Sequence, residues 1–339
     1  MTDLVHACKM ADGSEELLII DTDGGTDDCH GILIAAAAAH VEVLAITCVV
    51  GNVDVDQVAQ NVLITVNTSD KLRKAKCPIY LGAARPLAGF PIHRFNVHGE
   101  DGLGNTKRLD DPQHEFLKDE AACLALVKLV NQYPGQISIA AIGPLTNLAL
   151  ATRIDPNFSS KIKKLIIMGG DSEGRGNITP CAEFNFCADP EAAKVVLHEF
   201  TCRKILVSWE LTMKYAWNID WMHKQLFLED CRVGRFLRET HEHILEVCKN
   251  DPAMCTGGLV GLFPACDQLA VALTIRPELI TKFDHFRCSV ETSGVSSRGH
   301  LVIDRGSVDQ SLKGVTPTDI ITEVDFEKFK EVSLLSLEA

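Results

Sequence analysis

The chain of 339 residues carries 33 Lys and Arg residues against 46 Asp and Glu residues, which gives a formal net charge of −13. Nucleic-acid-binding proteins need basic surfaces, so this balance argues against that class. Hydrophobic residues make up 46% of the chain and charged residues 23%, a composition that is typical of folded globular proteins and excludes disorder for most of the chain. We predict a single domain over residues 1–339, with residues 1–16 as a poorly ordered N-terminal extension.

The cysteines and the apolar runs indicate the compartment. The 13 cysteines are odd in number and contain no C-x-x-C pair, and the N-terminus lacks a charged region followed by an apolar stretch. We therefore expect a cytoplasmic protein without a disulfide framework. The longest apolar run, residues 31–39, is shorter than the roughly 20 residues that a bilayer span needs, so we expect no membrane partner.

Four short apolar, β-branched runs bounded by glycine turns recur along the chain, and helical stretches follow them. The predicted strands cover residues 17–20, 41–50, 137–142 and 164–168, and the predicted helices cover residues 32–39, 55–65 and 145–151. This alternation predicts an α/β fold: a single open, mostly parallel β-sheet flanked by helices, of the Rossmann-like kind. Ligands of such sheets bind beyond the carboxyl ends of the strands, so the loops that follow the strands are expected to meet.

The loop after the first predicted strand carries four carboxylates within eight residues: Asp21, Asp23, Asp27 and Asp28. Carboxylates at the buried end of a strand repel one another unless a cation compensates them. Oxygen ligands of this kind indicate Ca²⁺ or Mg²⁺. The alternative is a solvated acidic turn in which Asp27 or Asp28 caps the following helix.

A second polar segment contains Asn177, Glu183 and Asn185. If this segment is extended, the i, i+2 spacing places Glu183 and Asn185 on one face, which would form an edge that binds hydroxyl groups. Taken alone, the same residues fit ordinary Asx-turn and loop chemistry.

Three further residues have ordinary structural interpretations when taken alone. Asp267 opens an apolar helical stretch and fits a first-turn carboxylate that is stabilised by the helix dipole. Its neighbour Cys266 fits a buried thiol, and His98 fits a surface histidine in a glycine-rich loop. Their significance depends on the other motifs.

Taken together, the motifs give the chain a resemblance to nucleoside hydrolases of the inosine-uridine-preferring family, from about Leu17 to the C-terminus. The D-x-D-x-G-x-D-D signature of that family is present, and its shorter elements follow in order. They are residues 21–28, the G-N pair that ends at Asn52, the L-T-N element at 145–147, M-G-G at 168–170, N-x-T-P-x-A-E-F-N at 177–185 and D-P-E-A-A at 189–193.

The resemblance implies a Ca²⁺-dependent N-ribohydrolase that cleaves purine or pyrimidine ribonucleosides to free base and ribose, as a homodimer or homotetramer. The implied metal ligands are Asp23, Asp28, Asp267 and the backbone carbonyl of Thr146. The implied substrate-binding residues are Asp27, Asn52, His98, Met168, Asn177, Glu183 and Asn185. Base preference does not follow from these motifs. The chain departs from the family just before Asp267, where relatives often have histidine or tryptophan and this chain has Cys266, as in a cysteine-containing subgroup.

Cleavage of an N-glycosidic bond needs an activated water and a proton for the departing base. We predict Asp23 as the general base, because it would lie beside the metal and its water. Cys266 is the first candidate acid, since a thiol of pKa about 8.5 still holds its proton at neutral pH. Cys48 is the second, with a packed core thiol as its alternative.

Two other functions compete with this prediction. Asp21-Thr22-Asp23 resembles the opening of Mg²⁺-dependent phosphohydrolases of the aspartyl-phosphate type, although Gly25 stands where that family has threonine. A catalytically silent nucleoside-binding homologue would keep the fold and the metal. Retention of the four N-terminal aspartates and Asp267 speaks against silence.

Overall fold

The structure, a computed structural model, describes residues 16–106, 116–228, 230–250 and 260–339. Strands and helices alternate along most of these ranges. The strands are β1 (Glu16–Thr22), β2 (Val41–Cys48), β3 (Ile79–Leu81), β4 (Leu117–Lys118), β5 (Ile137–Ala141), β6 (Lys164–Met168), β7 (Arg203–Val207), β8 (Trp217–Asn218), β9 (Leu262–Phe263), β10 (Ile280–Val290), β11 (Leu301–Asp304) and β12 (Thr318–Val324). The helices are α1 (Thr26–Ala37), α2 (Val55–Thr68), α3 (Asp70–Ala75), α4 (Ala122–Gln132), α5 (Thr146–Ile154), α6 (Phe184–Ala188), α7 (Pro190–Glu199), α8 (Trp209–Lys214), α9 (Ile219–Gln225), α10 (Arg232–Asn250), α11 (Cys266–Ile275) and α12 (Phe326–Leu334).

Ten of the described strands form one open sheet in the order β11-β10-β12-β7-β6-β5-β1-β2-β3-β4. The strands from β12 to β4 in this order pair in parallel. The predicted α/β fold with a mostly parallel sheet is thus confirmed. Strands β10 and β11 pair antiparallel at one edge, which the alternation of strands and helices did not predict.

The central strand β1 carries apolar side chains to both faces of the sheet. Leu18 and Ile20 belong to one buried apolar cluster, and Ile19 belongs to another. Successive side chains of a strand point to opposite faces, so helices must cover both sides. This explains why the sequence shows a continuous apolar run here.

Two helices that contribute to the apolar cluster of Leu18 and Ile20 are buried along their whole length. Every residue of α1 and of α11 is buried, and the two helices pack against each other. Their contact is close at Gly31, where a Cβ atom would lie 3.2 Å from Cγ2 of Val271. The N-termini of both helices carry aspartates, so this packing brings together residues from distant parts of the chain.

The N-terminal boundary differs from the prediction at Glu16. This residue belongs to β1 and is buried, because its carboxylate accepts a hydrogen bond from Ser138 and pairs with Lys163 at 2.5 Å and Lys164 at 3.1 Å. The predicted extension otherwise lies outside the described residues, since residues 1–15 are not among them. Within the described ranges, no helix is long and apolar enough to cross a membrane, and no two cysteines form a disulfide bond.

Candidate active site

One cavity opens beyond the carboxyl ends of the parallel strands, where the sequence predicted that the loops would meet. Ten of the predicted site residues line it together with apolar side chains. They are Asp23, Asp27, Asn52, His98, Met168, Asn177, Glu183, Asn185, Cys266 and Asp267. The loops after β1, β2, β3 and β6, the last residue of β6 and the N-termini of α1, α6 and α11 supply them. The fold therefore collects the separate motifs into one site.

Three buried carboxylates form a compact cluster at one end of this cavity. One oxygen of each of Asp27, Asp28 and Asp267 lies within 4.8 Å of the others. Burial, followed by the charge of Asp27, raises the pKa of Asp28 to about 7, and the same two causes raise the pKa of Asp267 well above its usual range. Such an arrangement is costly unless a cation or protons compensate it.

Asp28 is held rigidly by the start of α1. Its Oδ1 accepts hydrogen bonds from Oγ1 of Thr22 at 2.5 Å and from the backbone N–H of Asp23 at 3.2 Å. Its Oδ2 accepts from the N–H of Gly25, the N-cap residue, at 2.8 Å. Asp28 therefore caps the helix, as the structural alternative proposed, and also belongs to the cluster.

Asp23 lies beside the cluster. Its Oδ2 accepts a hydrogen bond from the backbone N–H of Asn52 at 2.8 Å, while its Oδ1 is buried without a partner. Burial and the charge of Asp28 raise the pKa of Asp23 well above its usual range. A Cβ atom on Gly51 would lie 2.0 Å from Oδ2 of Asp23, so this approach requires glycine at position 51.

The donor set fits a hard divalent cation. Oδ1 of Asp23 and Oδ1 of Asp27 are buried polar atoms without hydrogen-bond partners, and the clustered oxygens are the ligands that Ca²⁺ prefers. The predicted set contained Asp23 rather than Asp27, whereas the tightest group contains Asp27. Thr146 begins α5, and its hydroxyl donates to Asp189 at 2.7 Å, so its predicted role rests on its backbone carbonyl.

A further part of the cavity wall is built around Glu183. The segment is not extended at this point, because Glu183 is the N-cap of α6 and Asn185 lies in the first turn of that helix, so the i, i+2 argument for a shared face does not apply. The Glu183 carboxylate accepts hydrogen bonds from the N–H groups of Asn185 at 2.8 Å, Phe186 at 3.1 Å and Gly170 at 2.8 Å. Burial nevertheless raises the pKa of Glu183 to about 7.

Two asparagines present opposite ends of their amides to the cavity. Nδ2 of Asn185 donates to the carbonyl oxygens of Ile142 and Met168, both at 3.1 Å, which leaves its Oδ1 as an acceptor. Oδ1 of Asn177 accepts from the N–H of Phe184 at 2.8 Å, which leaves its Nδ2 as a donor. A ligand with hydroxyl groups, which both donate and accept, complements this pair.

His98 has a defined tautomer. Its Nδ1 lies 3.4 Å from the backbone N of Thr26 and 2.9 Å from Oγ1 of the same residue. Because a backbone N–H can only donate, Nδ1 accepts, and the neutral ring carries its proton on Nε2. Burial lowers the pKa of His98, and the neighbouring Asp27 opposes this effect. His98 is therefore a neutral N–H donor rather than the surface histidine of the structural alternative.

Comparison with known proteins assigns the family. The profile described as "Inosine-uridine preferring nucleoside hydrolase" matches residues 18–331. The chain belongs to this family. It is 33% identical over 328 residues to "Probable uridine nucleosidase 2" of Oryza sativa subsp. japonica, covering 93% of this chain and 91% of the relative. It is 31% identical over 314 residues to "Non-specific ribonucleoside hydrolase RihC" of Escherichia coli (strain SMS-3-5 / SECEC), with coverage of 93% and 95%.

Solved structures agree with the sequence relatives. The nucleoside hydrolase described here superimposes on "Plant nucleoside hydrolase - PpNRh1 enzyme" with a TM-score of 0.85 at 27% identity, covering 96% of this chain and 99% of that one. It is also similar to "Inosine-Guanosine Nucleoside Hydrolase (IG-NH)", with a TM-score of 0.85, 29% identity and the same coverage. The predicted family, the predicted fold and the predicted class of enzyme, the N-ribosyl hydrolases, are confirmed. These comparisons favour neither the phosphohydrolase nor the silent homologue.

The two candidate acids of this nucleoside hydrolase have different positions. Cys266 lines the cavity, and its thiol donates to Oγ1 of Thr212 at 3.5 Å, while the Thr212 hydroxyl donates to the carbonyl of Trp209 at 2.8 Å. Burial and the charge of Asp27 raise the pKa of Cys266. Cys48 is fully buried at the end of β2 and is not among the lining residues, so it packs as a core thiol and is no longer a candidate.

Sequence reasoning missed the apolar part of the cavity wall. Phe95, Val97, Ile178, Trp209 and Ile244 line it. Trp209 follows β7 directly, so the rule that ligands bind beyond strand ends would have found it had β7 been predicted. Ile244 comes from the middle of α10, and no local pattern distinguishes it from a core residue.

Proposed function

We propose that this nucleoside hydrolase uses Ca²⁺ to cleave the N-glycosidic bond of ribonucleosides, releasing free base and ribose. The observation that carries the proposal is that one cavity is lined both by members of a cluster of buried carboxylates and by the wall around Glu183. The first part suits a divalent cation and the second suits a polyhydroxylated ring. The apolar lining suits the flat face of a base.

Asp27, Asp28 and Asp267, with Asp23 and the carbonyl of Thr146, would hold the ion. A bound Ca²⁺ supplies charge that lowers the pKa of water and stabilises developing negative charge. Asp23 is the general base, because its Oδ1 is unpartnered at the cavity and it would lie beside the ion and its water. The water oxygen forms the new bond to the anomeric carbon as the bond to the base nitrogen breaks.

The ribose becomes electron-deficient as the base departs with the bonding electrons. The ionised Glu183 carboxylate stabilises this positive charge, and three backbone N–H groups hold it in place and partly offset the rise in its pKa that burial causes. Asn52, Asn177, Asn185 and Asp27 bind ribose hydroxyls, with Met168 packed beside them. The departing base nitrogen takes its proton from the Cys266 thiol, and the neutral His98 can donate a hydrogen bond from Nε2 without transferring its proton.

A panel of ribonucleosides tests the function. Uridine and inosine belong in it, because sequence relatives are named for uridine and structural relatives for inosine and guanosine. We expect stoichiometric release of ribose and free base. Absence of release from every ribonucleoside in a folded, Ca²⁺-loaded preparation would contradict the proposal.

The ion is tested separately by thermal unfolding. Asp28 has a folded pKa of about 7, above its usual value of 3.8, so the metal-free protein loses stability as the pH rises between those values. We therefore expect Ca²⁺ to restore activity to chelated protein and to raise the melting temperature more at pH 8 than at pH 5. Full activity without metal would reject the Ca²⁺ assignment and leave the hydrolase function intact.

The resemblance to the family also supports a homodimer or homotetramer as the assembly in solution. Light scattering coupled to size-exclusion chromatography measures the mass of the particle directly. A particle with the mass of a single 37.1 kDa chain would contradict this part of the proposal. Cytoplasmic location stays a prediction from the sequence.

A further inference from the structure

A histidine–aspartate pair lies behind the Glu183 wall and belongs to none of the family motifs. Nδ1 of His300 lies 2.5 Å from Oδ1 of Asp171, and the same Nδ1 lies 3.0 Å from the backbone carbonyl of Cys181. Both partners are acceptors, so Nδ1 must carry the proton and donate to both. The other carboxylate oxygen of Asp171 accepts from the N–H of Leu301 at 3.2 Å.

The two acceptors of His300 lie on the two segments that form the wall. Asp171 directly follows Gly170, whose N–H donates to the Glu183 carboxylate at 2.8 Å. Cys181 lies in the turn before Glu183, and next to it Ala182 accepts from the N–H of Asn177 at 3.2 Å. One proton of His300 therefore ties together the turn after β6 and the segment 177–183.

Further contacts fasten the same segment to the loop that carries His300. The Cys181 thiol donates to the carbonyl of Ser296 at 3.0 Å. Gly299 packs so closely that a Cβ atom there would lie 2.7 Å from Cα of Cys187. Two backbone hydrogen bonds anchor the loop that carries His300. The N–H of Gly299 donates to the backbone carbonyl of Glu291 at 2.8 Å, and the N–H of Glu291 donates to the backbone carbonyl of His300 at 3.0 Å.

We propose that His300 and Asp171 are positioning residues that hold the segment 177–183 in the geometry that binds the ribose ring. The proposal rests on the function proposed above, in which Asn177 and Glu183 contact ribose. Asp171 is 1% exposed, and His300 contacts the segment through Cys181, so the pair acts through other residues rather than on the substrate. Displacement of a binding group by about 1 Å can cost about 100-fold in rate.

The test replaces His300 with alanine and measures hydrolysis and product inhibition. We expect kcat/KM for ribonucleosides to fall about 10- to 100-fold, in the range typical of supporting hydrogen bonds. The inhibition constant of D-ribose should rise much more than that of the free base, because four of the five apolar lining residues, Phe95, Val97, Trp209 and Ile244, lie outside the segment 177–183. A general loss of structure would weaken both products.

His300→Asn serves as the conservative variant. The side-chain amide N–H of asparagine can occupy the place of Nδ1–H, so we expect it to recover most of the loss seen with alanine. If His300→Ala fails to fold, Asp171→Asn is the second variant, because it keeps the shape and one acceptor oxygen. We expect Asp171→Asn to weaken ribose inhibition selectively as well.

The chain offers a matched control in a second histidine–aspartate pair. Nδ1 of His285 lies 2.7 Å from Oδ1 of Asp319 on the neighbouring strands β10 and β12, and neither residue lines the cavity. His285→Ala should leave kcat/KM and both inhibition constants unchanged. If His300→Ala behaves like His285→Ala, the positioning role is wrong.

The two levels of the proposal fail in different ways. If Asn177→Ala and Glu183→Gln leave ribose inhibition unchanged, the assignment of the ribose wall is wrong, and the positioning role fails with it. If those variants weaken ribose inhibition and His300→Ala does not, only the positioning role is overturned. Equal weakening of ribose and base inhibition by His300→Ala would also overturn it.

Discussion

Buried carboxylates are paired with cationic side chains at one edge of the parallel sheet and are clustered with one another at the other edge. At the amino-terminal edge, Glu16 is paired with Lys163 and Lys164, and Asp319 accepts from Arg203 at 2.8 Å. At the carboxyl-terminal edge, the charges of Asp27 and Asp28 raise the pKa of Asp267. Paired carboxylates stabilise a fold, whereas clustered ones cost stability and serve function. The difference separates the edge that maintains the structure from the edge that performs chemistry.

The largest expected effect on activity comes from neutralising one member of the cluster. Asp267→Asn keeps the shape of the side chain and removes a charge that would hold the ion. We expect kcat/KM to fall about 10³-fold or more, which corresponds to several kcal/mol of lost charge stabilisation. The melting temperature of the metal-free protein should rise, because repulsion in the cluster decreases. A lower melting temperature together with normal activity would remove Asp267 from the metal site.

Glu183 also lies at the carboxyl-terminal edge of the sheet, but its carboxylate accepts hydrogen bonds from backbone N–H groups. Glu183→Gln removes the charge while keeping the size, and we expect kcat to fall about 10²- to 10³-fold, as for other groups that stabilise charge in a transition state. In the unmodified protein, kcat/KM should fall as the pH drops below about 7, the pKa of Glu183, since the ionised carboxylate is the active form. Measuring kcat and kcat/KM for uridine across pH, in the unmodified protein and in Glu183→Gln, tests both statements.

The same wall should give selectivity for ribose over deoxyribose. A site that binds a hydroxyl leaves polar groups unpaired when the hydroxyl is missing, and discrimination can reach about 10⁴-fold. We expect 2′-deoxyuridine to be cleaved far less efficiently than uridine, and Glu183→Gln to narrow that difference. Comparable kcat/KM for the two nucleosides would show that these residues do not bind the 2′-hydroxyl.

Cys266 is an uncharged proton donor among the carboxylates at the carboxyl-terminal edge of the sheet. Its replacement therefore tests proton donation separately from charge. We expect Cys266→Ala to slow natural nucleosides about 100-fold, the lower end of the range for general acids, and to leave p-nitrophenyl riboside nearly unaffected. That leaving group needs no proton. Thr212→Val is the companion variant, because it removes the hydroxyl group that accepts the hydrogen bond of the Cys266 thiol. Equal losses on both substrates would mean that Cys266 only packs the cavity.

The smallest effect on activity is expected at the opposite edge. Glu16→Gln removes the partner of two lysines and should lower the free energy of unfolding by about 2 kcal/mol, as measured for hydrogen bonds between charged groups. The pairing with lysine lowers the pKa of Glu16, so this stabilisation is present above its usual pKa and is lost at lower pH. Chemical denaturation at pH 7 and pH 3 measures the difference, and nucleoside hydrolysis should be unchanged. A large loss of hydrolysis would mean that the edges are not functionally separate.

The sequence predicted those parts of the molecule that depend on local patterns. The apolar run before Asp21 became the central strand, and the aspartates after it reached the cavity. The shared face considered for Glu183 and Asn185 required an extended segment, whereas the Glu183 carboxylate caps a helix by binding N–H groups, one of which belongs to Gly170, 13 positions earlier in the same connection. Single-residue spacing cannot reveal such a contact.

The roles of His300 and His98 could not be predicted from the sequence, because each depends on a hydrogen-bond partner that is distant in the chain. His300 lies 129 positions from Asp171, and neither residue belongs to a recognisable pattern. The tautomer of His98 depends on Thr26, which is 72 positions away. In both cases the chemistry of the residue is determined by a partner that only the folded chain supplies.

The packing of α1 against α11 has a consequence for folding. Asp28 and Asp267 are far apart in the sequence, so their cluster forms only after contacts of very high sequence separation have closed. An ion bound there would stabilise the folded state without accelerating its early steps, because the ligands are still apart in any locally folded intermediate. Such an ion should therefore act mainly on the unfolding rate, by cross-linking two segments that are distant in the chain.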